Sequence, residues 1–205
     1  LLKKSKSLNN IDLPRSGREH LKARQVERRL PMKKLRAIDL FCGVGGSSTG
    51  AANAGVEIIA GFDFWSVAAQ TYSTNFPNAR MYYEDVRKIS PKEVRNEIGN
   101  IDLLLASPEC TNHSVAKGAR ARDEDSRMTA FEVIRFAKEF KPQWIIIENV
   151  IQMQSWSKHE DFLDELWDLG YFVRQLKLNA QEFHVPQSRV RLFLVCSLSN
   201  EVIIK

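Results

Sequence analysis

The segment LRAIDLFCGVGGSSTGAANAG, residues 35–55, decides the fold because its pattern changes at the centre. A short apolar run ends at a cluster of glycines, and small residues follow as far as Gly55, which suits a helix C-terminus. The segment therefore predicts a strand, a tight glycine turn and a helix. Such a turn lets a ligand approach the backbone and the N–H groups that open the helix. The spacing is not GxGxxG, so a pyrophosphate is not the expected ligand, and a plain tight turn remains the alternative.

The same alternation of strand and helix continues along the chain. Further strands are predicted at 56–64, 79–85, 101–107 and 143–150, and further helices at 66–76, 90–98, 127–140 and 159–170. Two more strand-like segments, 171–180 and 190–198, are expected to pair as an antiparallel hairpin at one edge. Strands that alternate with helices form parallel sheets with helices on both faces. The pattern therefore predicts an α/β fold with a mostly parallel sheet and an antiparallel edge hairpin.

Two of these helices carry more specific signals. Ser90 suits an N-cap, with Pro91 at the first helical position and Gly99 after the last turn. In the helix at 127–140, the 3.6-residue period places apolar side chains on one face. That predicted face consists of Met128, Phe131, Ile134 and Ala137.

The composition limits the classes of protein to which this chain could belong. The 205 residues suffice for one large domain with a hydrophobic core. No apolar run approaches the ~18 residues that span a bilayer, and the Lys-rich start lacks the apolar block of a secretory signal. Cys42, Cys110 and Cys196 are widely spaced and form no CxxC motif. This spacing argues against a disulfide framework and a metal site, and it favours a reducing cytoplasm.

The net charge of +5 is unevenly distributed. Residues 1–34 carry eleven Lys/Arg and three Asp/Glu, a local charge of +8, whereas the remainder carries nineteen and twenty-two, or −3. We therefore divide the chain into a basic N-terminal segment, residues 1–34, and a folded core, residues 35–205. The basic segment is either an arm that binds nucleic acid or a solvated leader or cloning remnant.

Polar side chains follow the predicted strands at the points where the strands end. Asp63, Asp85, Cys110 and Glu148 follow the second, third, fourth and fifth strands. Because the carboxyl ends of parallel strands meet at one edge, we expect these side chains to lie close together. Asp63 could accept two ribose hydroxyls, Phe64 could stack on a purine, and Asp85 could accept from an exocyclic amine. Together they outline an adenosine pocket, although each acid alone also suits a helix cap or a solvated turn.

Cys110 and Glu148 are the candidate catalytic residues. In LLLASPEC, Cys110 lies just past an apolar strand, where a thiol can be partly exposed and its thiolate favoured by nearby N–H groups and cations. An inert thiol is the alternative, and it is the interpretation that suits Cys42 and Cys196. Glu148 ends the apolar run in IIIENV, where burial raises a carboxyl pKa and preserves a proton for donation. The alternative is a structural ion pair.

Two arginines near the end of the chain share one strand face. Arg189 and Arg191 alternate with Val190 and Leu192 in VPQSRVRLFLV. Their side chains are therefore expected to point the same way, toward a polar ligand or, in an edge strand, toward water.

Taken together, the motifs resemble the C5-cytosine DNA methyltransferases. They follow the family's order, namely DLFCGVGG, Asp63-Phe64 with TYSTNFP, Asp85, SPEC, ENV and VPQSRVR, over roughly residues 36–196. The resemblance implies a Rossmann-like, seven-stranded, S-adenosylmethionine-dependent methyltransferase fold. It also implies that Cys110 is the nucleophile and Glu148 its acid partner, and that Arg189 and Arg191 contact an extruded cytosine or brace its loop.

The resemblance further implies the binding residues and partners. For S-adenosylmethionine and its product S-adenosylhomocysteine, these are Asp39, Phe41, Gly43, Gly45, Gly46, Asp63, Phe64, Asp85, Val86 and Ser107. For the substrate they are Ser114, Asn149 and Gln187. The implied partner is double-stranded DNA, whose target cytosine must be flipped out before a thiol reaches C6. Residues 111–127 are then expected to close over the DNA as a lid. The implied setting is a prokaryotic or phage-encoded cytoplasmic enzyme without a metal.

Two features depart from the family pattern. Glu109 stands where the family usually has proline, and a carboxylate there disfavours the thiolate unless it points away or is paired. The chain ends at Lys205, before the family's target-recognition region and its last two motifs, one of which completes the cofactor pocket. We expect these to be missing or supplied by a second chain. An RNA cytosine-5 methyltransferase and a non-catalytic or split-enzyme subunit that binds nucleic acid remain the alternatives.

Overall fold

The computed structural model describes residues 33–109 and 124–199, and its elements follow the predicted alternation. The strands are β1 (Arg36–Leu40), β2 (Glu57–Asp63), β3 (Arg80–Tyr83), β4 (Leu103–Ala106), β5 (Trp144–Asn149), β6 (Phe172–Asn179) and β7 (Val190–Ser197). The α-helices are α1 (Gly46–Asn53), α2 (Ser66–Asn75), α3 (Pro91–Ile98), α4 (Glu124–Arg127), α5 (Phe131–Phe140) and α6 (His159–Asp168). Short 3-10 turns occur at Val86–Lys88, Met128–Ala130, Ile151–Ser155 and Ala180–Phe183. All but the last two residues of the basic segment lie outside the described residues, so its boundary stays a prediction.

Within the described residues the strands form one seven-stranded sheet, in the order β3-β2-β1-β4-β5-β7-β6. Strands β1 to β5 pair in parallel, whereas β7 runs antiparallel to both β5 and β6. The hairpin of β6 and β7 forms because a short connection joins them, without the crossover helix that parallel neighbours need. The predicted Rossmann-like fold, mostly parallel with an antiparallel edge hairpin, is confirmed.

Helix α3 begins and ends at the predicted residues. The Ser90 hydroxyl accepts a hydrogen bond from the Glu93 N–H at 3.4 Å, and Pro91 is the first helical residue. Gly99 follows the last turn with a φ of 76°. A serine cap of this kind contributes about 1 kcal/mol to the stability of a helix. The local sequence therefore specifies the boundaries of this helix.

The predicted apolar face of residues 127–140 is partly wrong. Met128 is exposed because residues 128–130 form a 3-10 turn before α5 begins, and the side chains of such a turn repeat every three residues. The α5 side chains that are buried are Val133, Ile134, Phe136, Ala137 and Phe140. None of the helices in the described part of the chain is long and apolar enough to cross a bilayer.

The two faces of the sheet pack against different helices. On one face, strand side chains such as Leu40, Leu104 and Ile145 are buried in the main core, which includes residues of α3, α5 and α6. Each fully buried Leu or Ile stabilises the fold by about 1.5–3 kcal/mol. On the other face, a smaller cluster built on Leu103 and Leu105 packs against α1. Helices therefore cover both faces, as predicted.

Part of the second face forms an open groove between α1 and strands β4, β5 and β7. We call it the apolar groove. Its volume is about 770 Å³, and its lining includes Gly50 and Ala51 of α1 and Leu105, Ile146 and Phe193 of the strands. The small side chains of α1 leave this space open.

Candidate functional site

The glycine turn between β1 and α1 shapes the floor of the site. Its backbone has positive φ at Phe41 (58°), Gly43 (53°) and Gly45 (97°). A Cβ added at Gly45 would lie 2.5 Å from the ring of Phe76, so only glycine suits both the angle and the space. The Cys42 N–H donates to a carbonyl of β2 at 3.0 Å. These contacts hold the turn against the neighbouring strand.

Asp63 joins this turn to the end of β2. Its Oδ2 accepts a hydrogen bond from the Gly43 N–H, and its Oδ1 accepts one from the Trp65 N–H, both at 2.9 Å. A carboxylate oxygen has two lone pairs, so each oxygen can accept a second hydrogen bond from a ligand hydroxyl. The predicted contact of Asp63 with ribose stays a prediction that this geometry permits.

A cleft of about 440 Å³, which we call the acidic cleft, brings most of the predicted cofactor residues together. It is lined by Phe41, Asp63, Phe64, Asp85, Val86, Arg87, Ser107, Pro108, Glu109, Asp125 and Thr129. The Phe64 side chain is 69% exposed and therefore presents a ring on which a base can stack. Acceptors for hydroxyl and amine groups, an aromatic ring and a volume typical of small-molecule sites fit an adenosyl group.

Asp85 lies in this cleft, but in a turn rather than in a strand, because β3 stops at Tyr83. Its Oδ1 accepts a hydrogen bond from the Arg87 N–H at 3.0 Å, which caps the 3-10 turn. The Arg87 guanidinium contacts the same carboxylate, with Nη2 2.6 Å from Oδ2, and this contact lowers the pKa of Asp85. Sequence reasoning missed Arg87, although the Asp-x-Arg spacing after a strand was a visible signal.

Asp39 is buried beneath the glycine turn. Its side chain is 0% exposed, and its Oδ2 accepts a hydrogen bond from the Ser48 hydroxyl at 2.7 Å. The Ser48 hydroxyl is also 2.9 Å from the Tyr72 hydroxyl. Oδ1 has no partner among the described residues, and burial raises the pKa of Asp39 to about 7. Asp39 therefore holds the first turn of α1 through Ser48, and its part in the cofactor site stays a prediction.

Glu148, the candidate acid, lies at the end of β5. Its half-buried carboxylate accepts from Arg191 of β7, with Nε 3.0 Å from Oε1. Burial raises the pKa of Glu148, and the positive charges of Arg191 and Arg189 offset part of that rise. All three residues line a pocket of about 360 Å³, although Arg189 lies just before β7, which begins at Val190. Glu148 thus combines the burial and the ion pair that the sequence left as alternatives.

The Asn149 side chain makes a hydrogen bond to the segment that follows the neighbouring strand. This side chain is 1% exposed, and its Nδ2 donates to the carbonyl oxygen of Pro108 at 3.2 Å. Strands β4 and β5 are parallel neighbours, so the segment that follows β4 leaves the sheet beside Glu148. The predicted contact of Asn149 with substrate stays a prediction. No local sequence pattern predicts this bond, because its partners lie 41 residues apart.

Two predicted site residues, Cys110 and Ser114, lie outside the described residues, as does most of the predicted lid at 111–127. Glu109 is the last described residue before them, and it lines the acidic cleft. Glu109 therefore lines the same cleft as Asp63 and Asp85 and does not line the pocket around Glu148.

The remaining predicted residues divide between the cavities and the surface. Gly43, Gly46 and Ser107 line the apolar groove, and Ser107 also lines the acidic cleft. Gln187 is exposed in the connection between β6 and β7. Cys196 is fully buried, and burial raises the pKa of its thiol to about 12, which agrees with the inert thiol predicted there.

The seven-stranded sheet, its antiparallel hairpin and the clefts at its carboxyl edge define the class of S-adenosylmethionine-dependent methyltransferase folds. The crystal structure of the S. pombe Dnmt2 methyltransferase has this fold. It matches 84% of this chain and 52% of its own with a TM-score of 0.68, at 20% sequence identity.

Sequence comparison gives the family. The family described as C-5 cytosine-specific DNA methylase matches residues 35–204. Type II methyltransferase M.DdeI of Desulfomicrobium norvegicum is 32% identical over 169 residues, covering 78% of this chain and 40% of that protein. Type II methyltransferase M.HindV of Haemophilus influenzae is 32% identical over 169 residues, covering 82% and 54%. The chain therefore belongs to the C-5 cytosine-specific DNA methylase family, whose methyl donor is S-adenosylmethionine. It spans about half the length of these relatives or less.

Proposed function

We propose that this chain is the catalytic core of a DNA cytosine-5 methyltransferase, which transfers a methyl group from S-adenosylmethionine to C5 of a flipped cytosine. The observation that carries the proposal is the Glu148–Arg191 pair, which lies beside the segment that leads from β4 to Cys110. A half-buried carboxyl with a raised pKa can keep a proton for a pyrimidine ring. A cysteine that arrives from the adjacent strand can attack the same ring.

Cytosine needs both groups because its C5 is too poor a nucleophile alone. The Cys110 thiolate adds to C6 and forms an S–C6 bond, which places electron density on C5. Glu148 donates at N3 and offsets the charge that develops in the ring. The cofactor, when bound, supplies an electrophilic methyl group on a sulfonium sulfur. Once methylated, C5 loses its proton to a base and the S–C6 bond breaks, which regenerates the thiolate.

The arginines would act on the carboxyl and on the base. Arg191 fixes one oxygen of Glu148 through its Nε, and Arg189 lines the same pocket. The apolar side chains of Phe183 and Phe193 also line this pocket, and apolar and aromatic walls suit a base taken out of the stack. We therefore assign the pocket to the flipped cytosine.

The acidic cleft would hold the adenosyl group. Asp63 would accept from the ribose hydroxyls, Phe64 would stack on the base, and Asp85 would accept from the exocyclic amine. Phe41 and Ser107 line both this cleft and the apolar groove that Glu148 also lines. These two residues would therefore lie between the adenosyl group and the reacting base.

We also propose that target recognition comes from a further part of the enzyme, either continuous with this chain or on a second chain. The apolar groove, walled by Leu105, Ile146 and Phe193, offers a surface on which such a part could pack. The substrate would be double-stranded DNA. Both relatives named above are bacterial type II methyltransferases, which supports a cytoplasmic setting in a prokaryote or a phage-infected cell.

Transfer of tritiated methyl groups from labelled S-adenosylmethionine to DNA and to RNA tests this proposal in the complete enzyme, whether it is one chain or two. We expect label in 5-methylcytosine of DNA, abolished by Cys110→Ala and strongly reduced by Glu148→Gln. Cys196→Ala, which alters a buried cysteine of β7, is the matched control and should retain activity. Label in RNA alone, or undiminished transfer by the Cys110 variant, would overturn the proposal.

A further inference from the structure

The acidic cleft contains an ion pair with which an adenosyl ligand would have to compete. The Nε of Arg87 is 3.0 Å from both carboxylate oxygens of Asp85, and its Nη2 is 2.6 Å from Oδ2. The Arg87 main-chain N–H donates to Oδ1 as well, at 3.0 Å. A carboxylate offers about four lone-pair positions, so these contacts occupy most of them.

The local backbone holds this pair together. Asp85 caps the 3-10 turn that contains Arg87, so two residues of one short turn supply both partners. The side chain of Asp85 is 24% exposed and that of Arg87 is 53% exposed. The guanidinium is thus the more accessible partner, and it can move without disturbing the core.

A second carboxylate, that of Asp125, lines the same cleft as Arg87. The pKa of Arg87 is raised first by Asp85 and also by the nearby charges of Glu132 and Asp125. Glu132 already pairs with Arg135 of its own helix. Asp125 is exposed and lines the acidic cleft. Asp125 is therefore the alternative partner for Arg87 within the cleft.

We propose that Arg87 is a specificity-determining residue of the acidic cleft. It leaves Asp85 for Asp125 when a ligand presents an exocyclic amine, and it stays on Asp85 when a ligand presents a carbonyl oxygen. In the second case the guanidinium donates to that oxygen, because Asp85 uses only the donors of Nε and Nη2 among its five N–H groups. Arg87 thus weakens the binding of amine ligands and strengthens the binding of carbonyl ligands. This inference rests on the proposed function of the cleft.

Two ligands that differ at this position, and at the adjacent ring nitrogen N1, which carries a hydrogen only in the inosyl ligand, test the inference on the complete enzyme, whether it is one chain or two. S-adenosylhomocysteine carries the amine, and S-inosylhomocysteine carries a carbonyl oxygen in its place. Their dissociation constants are measured by isothermal titration calorimetry for the wild type, Arg87→Ala, Asp125→Asn and the double variant. Lys88→Ala is the matched control, because it breaks the neighbouring exposed ion pair with Glu84 in the same turn.

We expect Arg87→Ala to lower the dissociation constant for S-adenosylhomocysteine by up to about fivefold, the upper range for an exposed ion pair. The same variant should raise the dissociation constant for S-inosylhomocysteine. Asp125→Asn should lower the affinity for S-adenosylhomocysteine when Arg87 is present, but not when it is combined with Arg87→Ala. Lys88→Ala should change neither affinity. If Arg87→Ala changes the affinity for both ligands by the same factor, the inference is overturned, but the assignment of the cofactor site is not affected. Failure of both ligands to bind the wild type and every variant would instead refute the proposed cleft, and this inference with it.

Discussion

The side-chain amide of Asn149 donates a hydrogen bond to the main-chain carbonyl of Pro108 across 3.2 Å, and it joins the end of β5 to the segment that follows β4. The Oδ1 of Asn149 accepts from the Val150 N–H at 2.8 Å, so both ends of the amide are engaged. Glu148 directly precedes Asn149, and Cys110 follows Pro108 by two positions. The bond therefore ties the strand end that carries Glu148 to the segment that precedes Cys110 in the sequence.

Asn149→Ala should slow the formation of a covalent adduct with DNA that contains 5-fluorocytosine. Loss of the amide leaves a buried carbonyl oxygen without a partner, which costs about 1–3 kcal/mol, so we expect a rate reduction of about tenfold or more. Affinity for S-adenosylhomocysteine should not change. Gln143→Ala, at the opposite end of the same strand pair, is the control. A normal rate for Asn149→Ala would show that the bond does not position the site.

Arg191→Gln should move the alkaline limb of the pH profile for adduct formation to higher pH. Burial raises the pKa of Glu148 and Arg191 offsets part of the rise, so removal of the guanidinium raises this pKa further. The carboxyl then keeps its proton to higher pH, although the rate falls because the carboxyl is no longer braced. Single-turnover rates between pH 5 and 10 measure the shift. Lys177→Gln, an exposed change on β6, should leave the profile in place, and an unmoved alkaline limb in Arg191→Gln would contradict the assigned role of Glu148.

Asp39→Asn should stabilise the fold at neutral and alkaline pH. The pKa of Asp39 is raised to about 7 by burial, against about 3.9 in an unfolded chain. The favourable contribution of the protonated carboxyl is complete below pH about 4 and is lost as the pH rises through about 7. Asparagine stays neutral, so the free energy of unfolding should exceed the wild-type value by on the order of 2–4 kcal/mol at pH 8.

This stability difference should shrink toward pH 4, as urea denaturation at several pH values can show. Asp164→Asn, an exposed change on α6, is the control and should give no such gain. A difference between Asp39→Asn and wild type that stays constant over the whole pH range would contradict the buried, protonated state of Asp39.

Two glycine substitutions should have opposite effects. Gly45→Ala combines a φ of 97° with a Cβ 2.5 Å from the Phe76 ring, so it should destabilise the fold by at least about 1–2 kcal/mol. Gly50 lies inside α1, with nothing within 4 Å of an added Cβ, so Gly50→Ala should stabilise by about 0.5–1 kcal/mol. Thermal unfolding of both variants measures the contrast. Equal effects would show that the glycine turn does not require its observed backbone angles.

Local patterns were sufficient to predict the fold, because each strand, cap and turn leaves its signal within a few residues. Ser90 and Pro91 define the start of α3, and the lack of a helix between the last two strands specifies their hairpin. The prediction that Met128 lies on the buried face of its helix was wrong, because a 3-10 turn replaces the first α-helical turn and changes the period.

The candidate site was less visible, because its contacts join residues that are distant in sequence. Glu148 was found from its apolar strand, but its pairing with Arg191 depends on the register of β5 with β7. The resemblance to the family implied that Asp39 belongs to the cofactor site. The Asp39 side chain points under α1, where Ser48 and Tyr72 form the hydrogen-bond network.

The most direct test of the central claim is covalent trapping of the complete enzyme on double-stranded DNA whose target cytosine carries fluorine at C5, in the presence of S-adenosylmethionine. Fluorine cannot leave C5 as a proton does, so the S–C6 bond should persist through denaturation. Peptide mass spectrometry should then find the modified base on Cys110 and on no other residue. An enzyme that methylates ordinary DNA but forms no adduct, or forms one on a different residue, would contradict the account.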